Sequence, residues 1–418
     1  MPSAADGALD LHFDVNETIM LGDPAGGDTY EESLNKTLAK VAFVRPSDTA
    51  GRFGKWEWHD GSPLDPAART AGMPPPPLLP DAWDPPAGCA AFYKVPSLKS
   101  AHAKSFAYAG SPGSIYAAEH EALREALRWP ADVPRDPRLC TEDGYYTILP
   151  AFFHTLSSLH AGERPYSVVI RTFGEDLGRV AEALEAFAGG DHPLWRGQRF
   201  PALVLPASRI WRGRYAAGGR FTLQLVSLDE ARDCDAAQAR QAGGGSADGA
   251  DDEHRVAATL QGGGGGDSGG DSGASAAPPH HMSAVQDDYC TWRDAGYSPA
   301  AGKPLWLTLS DEASAAPSSP IFFDDNIHND ANDSIVAVRV RLGASRPYAA
   351  LSGELTVRLQ GSVLRRTPTV LPIRNHGWFL EQIGLCDARL RDLRAGGAAD
   401  SSLWGELRAA AAGEPSTF

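Results

Sequence analysis

The sequence predicts an α/β fold in which helices pack on a mostly parallel central sheet. Residues 9–13 form a short apolar run that ends at Asp14, as expected of a first, central strand. Residues 166–171, YSVVIR, are mainly apolar and β-branched, which is typical of a strand buried on both faces of a sheet. A segment with helical periodicity comes after each of these strands. This alternation of strand and helix favours a parallel sheet.

Apolar residues at helical spacing predict helices, and local signals support several of their ends. Thr29 is a suitable N-cap for the first helix, Pro130 stops another, and a third is broken or begins near Pro150. The predicted helices span residues 30–44, 115–129, 145–161, 175–189 and 378–395. Further strands are predicted at residues 202–205, 221–226, 305–309, 319–323 and 334–342.

Composition and charge indicate which partners and which cellular location to expect. The chain has 418 residues, a formal charge of −15 and a pI near 5.2, so a surface for nucleic acid is not expected. We find no basic, apolar leader and no apolar run of membrane-spanning length, and therefore expect a cytoplasmic protein without membrane contact. The cysteines are widely spaced without a zinc pattern, so we expect reduced, structural thiols at Cys89, Cys140, Cys234, Cys290 and Cys386.

Acids and a hydroxyl follow predicted strands, where open α/β sheets bind ligands. Asp14 ends the first strand, and Thr172 follows YSVVIR. Asp324 and Asp325 follow the apolar run PIFF. Two carboxylate groups meeting in one crevice would repel each other unless a hard cation such as Mg²⁺ lay between them. The pattern therefore predicts a magnesium site. Serine and cysteine nucleophiles lack a nearby histidine motif, so acyl transfer is not expected.

These segments resemble motifs of the haloacid dehalogenase-like (HAD) superfamily. DVNET, from Asp14 to Thr18, resembles the first motif, D-x-D-x-T, and implies that Asp14 is the nucleophile. IRTFG resembles the second motif and implies that the Thr172 hydroxyl binds phosphate. A Thr at this position also suits a helix N-cap, and the family's motif has both roles.

The third and fourth motifs follow in the family's order, and together the four cover about half of the chain. Lys303 in GKPLWL is similar to the third-motif lysine, which neutralises phosphoryl oxygens. FFDDN resembles the fourth motif and implies that Asp324 or Asp325 binds Mg²⁺ together with Asp14 and the backbone carbonyl of Asn16. Residues that could replace the lysine in principle are Lys55, Lys94, Lys99 and Arg293.

The resemblance implies a HAD-like Rossmannoid three-layer sandwich with a cap-like insertion after the first motif. On this interpretation residues 1–44, 145–232 and 283–418 form the α/β core. Residues 45–144, rich in Pro and Gly, form the cap-like insertion. Residues 233–282 are mostly Gly, Ala, Ser and Asp, and are predicted to be disordered.

Two aromatic or histidine patterns in the insertions have alternative interpretations. Trp56, Trp58 and His59 suggest a hairpin that either lines a substrate pocket or packs the cap, and packing is favoured. His280 and His281 could bind a metal, but an exposed pair in a flexible segment is more often incidental. The glycine tracts lack the Lys-Ser/Thr ending of a P-loop and are interpreted as linker.

The first motif departs from the family at Asn16. The family's second Asp protonates the leaving oxygen and then activates water, whereas an amide neither gains nor loses a proton near neutral pH. The phosphoenzyme step could survive with a good leaving group. Hydrolysis should slow unless Glu17 or a cap residue supplies the base.

Three functions are compatible with these residues. The first is a Mg²⁺-dependent phosphohydrolase that forms an aspartyl-phosphate on Asp14 and acts on a small phosphorylated metabolite. The second is a catalytically weak or inactive HAD-like protein that binds a phosphorylated ligand or protein partner, as Asn16 would permit. The third, dehalogenation or phosphonate cleavage, uses the same nucleophile and has less support.

Overall fold

The computed structural model describes residues 7–22, 27–216, 219–231, 251–261, 280–309, 318–343, 345–397 and 402–413. The strands are β1 (Leu9–Asp14), β2 (Phe43–Gly51), β3 (Gly54–Trp58), β4 (Ala90–Ala91), β5 (Tyr166–Thr172), β6 (Ile210–Tyr215), β7 (Phe221–Leu225), β8 (His280–Gln286), β9 (Lys303–Leu309), β10 (Ser319–Asp324), β11 (Val336–Leu342), β12 (Ala349–Ala350) and β13 (Leu364–Arg366). The helices are α1 (Tyr30–Val41), α2 (Pro96–His102), α3 (Ala117–Ala126), α4 (Pro150–His160), α5 (Leu177–Gly189), α6 (Leu228–Ala231), α7 (Asp251–Leu260), α8 (Tyr289–Asp294), α9 (Gly353–Arg358), α10 (Val370–Arg374), α11 (Trp378–Arg394) and α12 (Leu403–Ala412).

The chain is an α/β protein with a mostly parallel central sheet, as predicted. Seven strands lie in the order β13-β10-β1-β5-β8-β6-β7, and only β7 is antiparallel to its neighbour. A second sheet has the order β12-β11-β9, with β9 and β11 parallel. The third sheet, β3-β2-β4, is antiparallel. Within the described ranges, no helix is long and apolar enough to span a membrane.

The chain divides into two compact units. The sheet unit comprises residues 1–15, 153–366 and 379–418, and the inserted unit comprises residues 16–152 and 367–378. The inserted unit thus begins at residue 16, whereas the predicted cap began at residue 45, and it includes α1. The Pro- and Gly-rich segment after α1 thus belongs to a separate compact unit, which has its own apolar core.

Strand β1 has two chemically different faces, both buried. Because side chains alternate along a strand, Leu9, Leu11 and Phe13 share one face, and Asp10, His12 and Asp14 share the other. Phe13 packs edge-on against Phe379 of α11 at 5.3 Å, so this helix covers the apolar face. The polar face points toward the second sheet and α7, whose apolar residues pack on β5 and β8.

The core of the inserted unit is aromatic. Trp58 at the end of the β2-β3 hairpin is fully buried, with its ring centroid 5.5–6.3 Å from those of Phe92, Phe106 and Tyr116. The predicted hairpin therefore exists, and Trp58 has the favoured packing role. Helix α1 begins with the predicted cap: Thr29 and Glu32 form a reciprocal capping box.

Several local predictions are wrong, and tertiary packing explains each of them. The predicted strand at 202–205 is a 3₁₀ turn, Pro201–Leu203, and strand β6, which pairs with β8 and β7, follows it. Residues 42–44 leave the predicted helix to start β2, which pairs with β3 and β4. The 3₁₀ turn Pro112–Tyr116 precedes α3 where one helix was predicted at 115–129.

The predicted disorder at 233–282 is wrong for two parts of that segment. Residues 251–260 form α7, whose Val256, Ala257 and Leu260 are buried against β5 and β8. His280 and His281 begin β8 and are partly buried, with His280 stacked on Tyr166 at 4.4 Å. The interpretation of an exposed, flexible histidine pair is therefore also wrong. Residues 232–250 and 262–279, and with them Cys234, lie outside the described residues.

A core truncation tests whether α7 packs on the sheet. Leu260→Ala is expected to lower the free energy of unfolding by about 2–5 kcal/mol, because it removes a fully buried side chain. Thr259→Ala, one residue away and partly exposed, should change it by less than about 1 kcal/mol. Urea unfolding followed by circular dichroism measures both values. Equal effects of the two substitutions would contradict packing of this helix in the core.

Candidate functional site

Three carboxylates meet at the carboxyl edge of the central sheet. Strands β1 and β10 are adjacent and parallel, with Phe13 opposite Phe323, so their last residues, Asp14 and Asp324, come side by side. Asp325 follows directly. All three acids are buried, and one carboxylate oxygen from each lies within 4.8 Å of the others. The end of two strands thus assembles an acidic cluster from residues that are 310 positions apart in the chain.

One lysine is buried against this cluster. Lys303, the first residue of β9, is only 1% exposed. Its ammonium group donates to Asp14 Oδ1 and lies 2.9 Å from Asp324 Oδ2. The same nitrogen is 5.0 Å from the centroid of the Phe173 ring. The ammonium group of Lys303, on the second sheet, therefore lies at the acidic edge of the central sheet. The structure brings Asp14, Lys303, Asp324 and Asp325 together.

The charges of the cluster do not balance. Burial raises the pKa of Asp14 well above its usual range, and the negative charges of Asp324 and Asp325 add to this, although Lys303 opposes it. Burial alone would lower the pKa of Lys303, but Asp14 and Asp324 raise it above its ordinary value, so the ammonium remains protonated. One lysine faces three carboxylates. Among these four groups a divalent cation would balance the charge, whereas a proton on Asp14 alone would leave one negative charge in excess.

The donor set fits a hard divalent cation. Carboxylate oxygens are the preferred ligands of Mg²⁺ and Ca²⁺, at about 2.0–2.6 Å. Oxygens that share one such ion are therefore separated by no more than about 4–5 Å, which matches the spacing of the three acids. The described residues contain no second group of three His, Cys, Asp or Glu side chains with this geometry. Asp14, Asp324 and Asp325 are the residues that could hold the ion.

The loop after β10 fixes two of these carboxylates. The backbone N–H of Asn326 donates to Asp324 Oδ1 at 2.8 Å. Its side-chain amide donates to Asp325 Oδ1 at 3.0 Å. Hydrogen bonds to a carboxylate both orient it and stabilise its charged form. The turn thus holds acceptor oxygens in place before any cation binds.

A fully buried ion pair holds the start of β9. Arg171 and Asp287 form a two-point pair, with nitrogen–oxygen distances of 2.9 and 2.5 Å, and both side chains are 0% exposed. Arg171 also donates to the backbone carbonyl of Pro304 at 2.9 Å, one residue beyond Lys303. Because a buried ion pair needs near-complete hydrogen bonding, its geometry is tightly constrained. Arg171 therefore sets the position from which Lys303 reaches Asp14.

The polar face of β1 continues beneath the site. His12 Nδ1 lies 3.0 Å from Arg171 Nη1, and Asp10 Oδ1 accepts a hydrogen bond of 2.6 Å from Ser167. Burial lowers the pKa of His12, with the Arg171 charge acting in the same direction. A neutral His12 accepts a hydrogen bond from the guanidinium. The buried charges of this face are therefore connected from the strand's start to the site.

Two further residues considered for the site, Thr172 and Arg293, do not contact the acidic cluster in the contacts described above. Thr172 ends β5 at the same sheet edge and is buried, and its hydroxyl accepts a 2.8 Å hydrogen bond from Gly174 N–H. It does not cap α5, whose N-cap is Asp176. Arg293 is exposed and pairs with Asp294, so it is not a substitute for Lys303.

Asn16 and Thr18 belong to the inserted unit. The N–H of Glu17 donates to Met20 O at 2.8 Å, which closes a tight turn, and Glu17 has a left-handed φ of 58°. A non-glycine residue in this region is uncommon and strained, and such residues concentrate at functional sites. The Glu17 carboxylate pairs with the ammonium of Lys40. Glu17, the predicted alternative base, is therefore already engaged by a cation.

Sequence reasoning missed the charged residues that support the site. Asp10 and His12 alternate with leucine and phenylalanine in β1, and Arg171 is the next-to-last residue of the mainly apolar strand β5. Charged residues are rarely buried without a partner. An arginine at the end of a doubly buried strand was therefore a signal for a buried acid, and Asp287 is that acid.

The thiols are consistent with the structural role expected of them. Cys89, Cys140, Cys290 and Cys386 are free cysteines. Burial raises the pKa of Cys386 to about 12, which leaves its thiol protonated and unreactive.

Comparisons with known proteins give no relative. No protein-family model, no curated protein and no solved structure matches the chain. Any function must therefore be inferred from the site itself.

The charge imbalance makes a prediction about cation binding. A raised pKa of Asp14 means that the folded chain loses stability as the pH rises through that pKa, and a bound cation reverses this loss. Saturating Mg²⁺ should therefore raise the melting temperature more at pH 8 than at pH 5. At 100 times the dissociation constant the gain is about 2.7 kcal/mol.

Two variants separate this effect from general salt effects. Asp14→Asn should be at least as stable as the wild type without Mg²⁺, because one crowded negative charge is gone, and should gain less from the ion. Asp132→Asn, at an exposed position, should respond as the wild type does. Differential scanning calorimetry at both pH values measures the shifts. An identical Mg²⁺ response in all three proteins would refute a cation site at Asp14.

Proposed function

We propose that this protein is a Mg²⁺-dependent phosphohydrolase of HAD type that acts on a small phosphorylated metabolite through an aspartyl-phosphate. The observation that carries the proposal is the contact of Lys303 with Asp14, beside Asp324 and Asp325. A nucleophilic carboxylate, a phosphate-neutralising ammonium and a set of cation ligands are the groups that phosphoryl transfer requires. The resemblance of DVNET, IRTFG, GKPLWL and FFDDN to the HAD motifs supports the same assignment.

The proposed reaction has two steps. A carboxylate oxygen of Asp14 attacks phosphorus, and the bond from phosphorus to the leaving oxygen breaks as the new oxygen–phosphorus bond forms. The leaving alkoxide takes a proton from solvent water and departs as the alcohol. Water then attacks phosphorus, inorganic phosphate leaves, and the Asp14 carboxylate is restored. Mg²⁺, when bound, would neutralise phosphoryl oxygens and the crowded carboxylates.

Three side chains of the protein would have distinct roles in these steps. Lys303, held protonated by Asp14 and Asp324, would neutralise charge on the transferring phosphoryl oxygens. Asp14 must be ionised to attack; burial raises its pKa, and the charges of Lys303 and of a bound cation would oppose this and favour the carboxylate. The Thr172 hydroxyl has its own proton available as a hydrogen-bond donor to phosphate, since Gly174 uses only its oxygen.

Asn16, which stands where the HAD motif has its second Asp, favours slow turnover. A general acid or base contributes about 10²–10⁴-fold to a rate, and an amide supplies neither. Phosphate esters with a leaving group of low pKa need no such acid in the first step. We therefore propose that the protein cleaves activated esters faster than alkyl esters. The same residue is the specific observation that favours the second candidate function, a nearly inactive protein that binds a phosphorylated ligand.

Turnover of a generic aryl phosphate tests the catalytic proposal. With Mg²⁺, the wild type should release 4-nitrophenol from 4-nitrophenyl phosphate, and the rate should fall to the blank level with EDTA or in Asp14→Asn. Asp132→Asn should retain the wild-type rate. The absorbance of the released nitrophenolate is the readout. Absence of turnover across a panel of phosphate esters would exclude the phosphohydrolase.

A substitution at Asn16 separates the two candidate functions. Asn16→Asp restores a group that can give and take a proton, so turnover of an alkyl phosphate should rise by about 10-fold or more. Asn16→Ser, which restores no such group, is the matched control and should remain slow. If the wild type is inactive and Asn16→Asp creates activity, the chain is a lapsed enzyme that retains the binding site. Equal rates in the wild type and Asn16→Asp would show that residue 16 supplies no proton transfer.

A further inference from the structure

Four aromatic side chains cluster at the same sheet edge as the acidic site. Phe173 follows β5, and Tyr289 and Trp292 lie in α8, which follows the adjacent parallel strand β8. The Phe173 and Trp292 rings stack with centroids 4.8 Å apart and planes 12° apart. Tyr297 packs edge-on to Trp292 at 5.0 Å, and Tyr289 lies 5.9 Å from Phe173. We call these four residues the aromatic cluster.

The aromatic cluster begins one side chain away from the nucleophile. The ammonium of Lys303 that contacts Asp14 Oδ1 is also 5.0 Å from the centroid of Phe173. The rings of Trp292 and Tyr297 follow outward from Phe173 at spacings of 4.8 and 5.0 Å. A phosphoryl group held by Lys303 would therefore place its ester substituent within reach of these rings.

The outer rings of the cluster are not buried in a core. Tyr289 is 40% exposed and Tyr297 is 49% exposed, whereas most large apolar side chains of the described residues are buried. Tyr297 also has a left-handed φ of 63°, a conformation that a bulky side chain rarely adopts. Packing of the protein's interior does not require these two rings at the surface. An exposed aromatic group beside a polar site is typical of a surface that binds a ligand.

We propose that the aromatic cluster binds a planar aromatic ring in the leaving group of the substrate. The substrate class would then be a phosphate monoester with an aryl or heteroaryl substituent, such as an aryl phosphate or a nucleoside monophosphate. Aromatic rings prefer stacked or edge-to-face partners, and a saturated ring of the same size offers no such interaction. This inference rests on the proposed function, because it takes the phosphoryl group to lie at Asp14 and Lys303.

Matched ligands test the inference by binding rather than by turnover. Phenyl phosphate and cyclohexyl phosphate differ mainly in ring planarity, and adenosine monophosphate and ribose 5-phosphate differ in the base. Calorimetric titration of Asp14→Asn with Mg²⁺ measures their affinities without hydrolysis, and initial rates of the wild type give the KM values. Stacking of a base or aryl ring should tighten binding by about fivefold or more. A preference confined to adenosine monophosphate over ribose 5-phosphate would identify a nucleobase as the ring.

Variants of the aromatic cluster test whether its rings cause the preference for phenyl over cyclohexyl phosphate. Tyr289→Leu keeps apolar bulk but removes the ring, so the ratio of cyclohexyl to phenyl dissociation constants should fall toward one, while Tyr289→Phe should keep it. Tyr348→Leu is the control, because the Tyr348 hydroxyl is 3.3 Å from Thr308, five residues along β9 from Lys303. At about 3.3 Å per residue that is roughly 16 Å away. It should leave the ratio unchanged.

The outcomes distinguish failure of the inference from failure of the proposed function. Equal affinities within both pairs of ligands, phenyl with cyclohexyl phosphate and adenosine monophosphate with ribose 5-phosphate, would overturn the aromatic site. Hydrolysis of any of these esters by the wild type would then leave the phosphohydrolase intact. An aromatic preference that Tyr289→Leu and Trp292→Leu both leave unchanged would also overturn it. Failure of all four esters to bind or to turn over would remove the proposed function, and this inference with it.

Discussion

The ammonium group of Lys303 is the contact on which the arrangement of the site depends. It lies at the first residue of a strand in the second sheet, and it engages carboxylates at the ends of two strands of the central sheet. Burial of any one of these charges alone would be costly, so each is stable only when the others are present. The three carboxylates still outnumber the lysine. The same excess of carboxylates that makes the site costly to bury would favour a bound cation there.

The buried polar face of β1 explains how such a site is supported. Asp10, His12 and Asp14 share that face, and the Arg171–Asp287 pair lies beside them. In a buried network every donor and acceptor must be satisfied, which restricts the side chains to one geometry. Arg171 transmits this constraint to β9 through its hydrogen bond to Pro304. Asp14, Lys303 and Asp324 therefore lie on strands, and the turn after β10 supplies Asp325. Side chains on strands are positioned more precisely than side chains on loops.

Two residues of the segment DVNET, Asp14 and Asn16, lie in different parts of the structure. Asp14 belongs to the central strand and is held by its neighbours, whereas Asn16 lies two residues beyond, in the inserted unit. Strand β1, the contacts of Lys303 and the three acids of the cluster are formed by other residues. The amide removes only a proton-transfer group. On the proposed function, the protein would keep its phosphate-binding residues while hydrolysis is slowed, and the leaving group would then set the rate.

The sequence by itself determined the order of the main elements and the identity of the acids and lysine at the site. Period-two and period-3.6 patterns are local, so β1, α1, β5, α11 and the capping box could be predicted from them. The acids at strand ends could be predicted to meet because parallel strands end at one edge. Only the tertiary structure decided that residues 251–260 form a buried helix, that β6 rather than 202–205 is a strand, and that Asp287 pairs with Arg171. These depend on contacts between residues far apart in the chain, which supply burial and charge compensation that no local pattern contains.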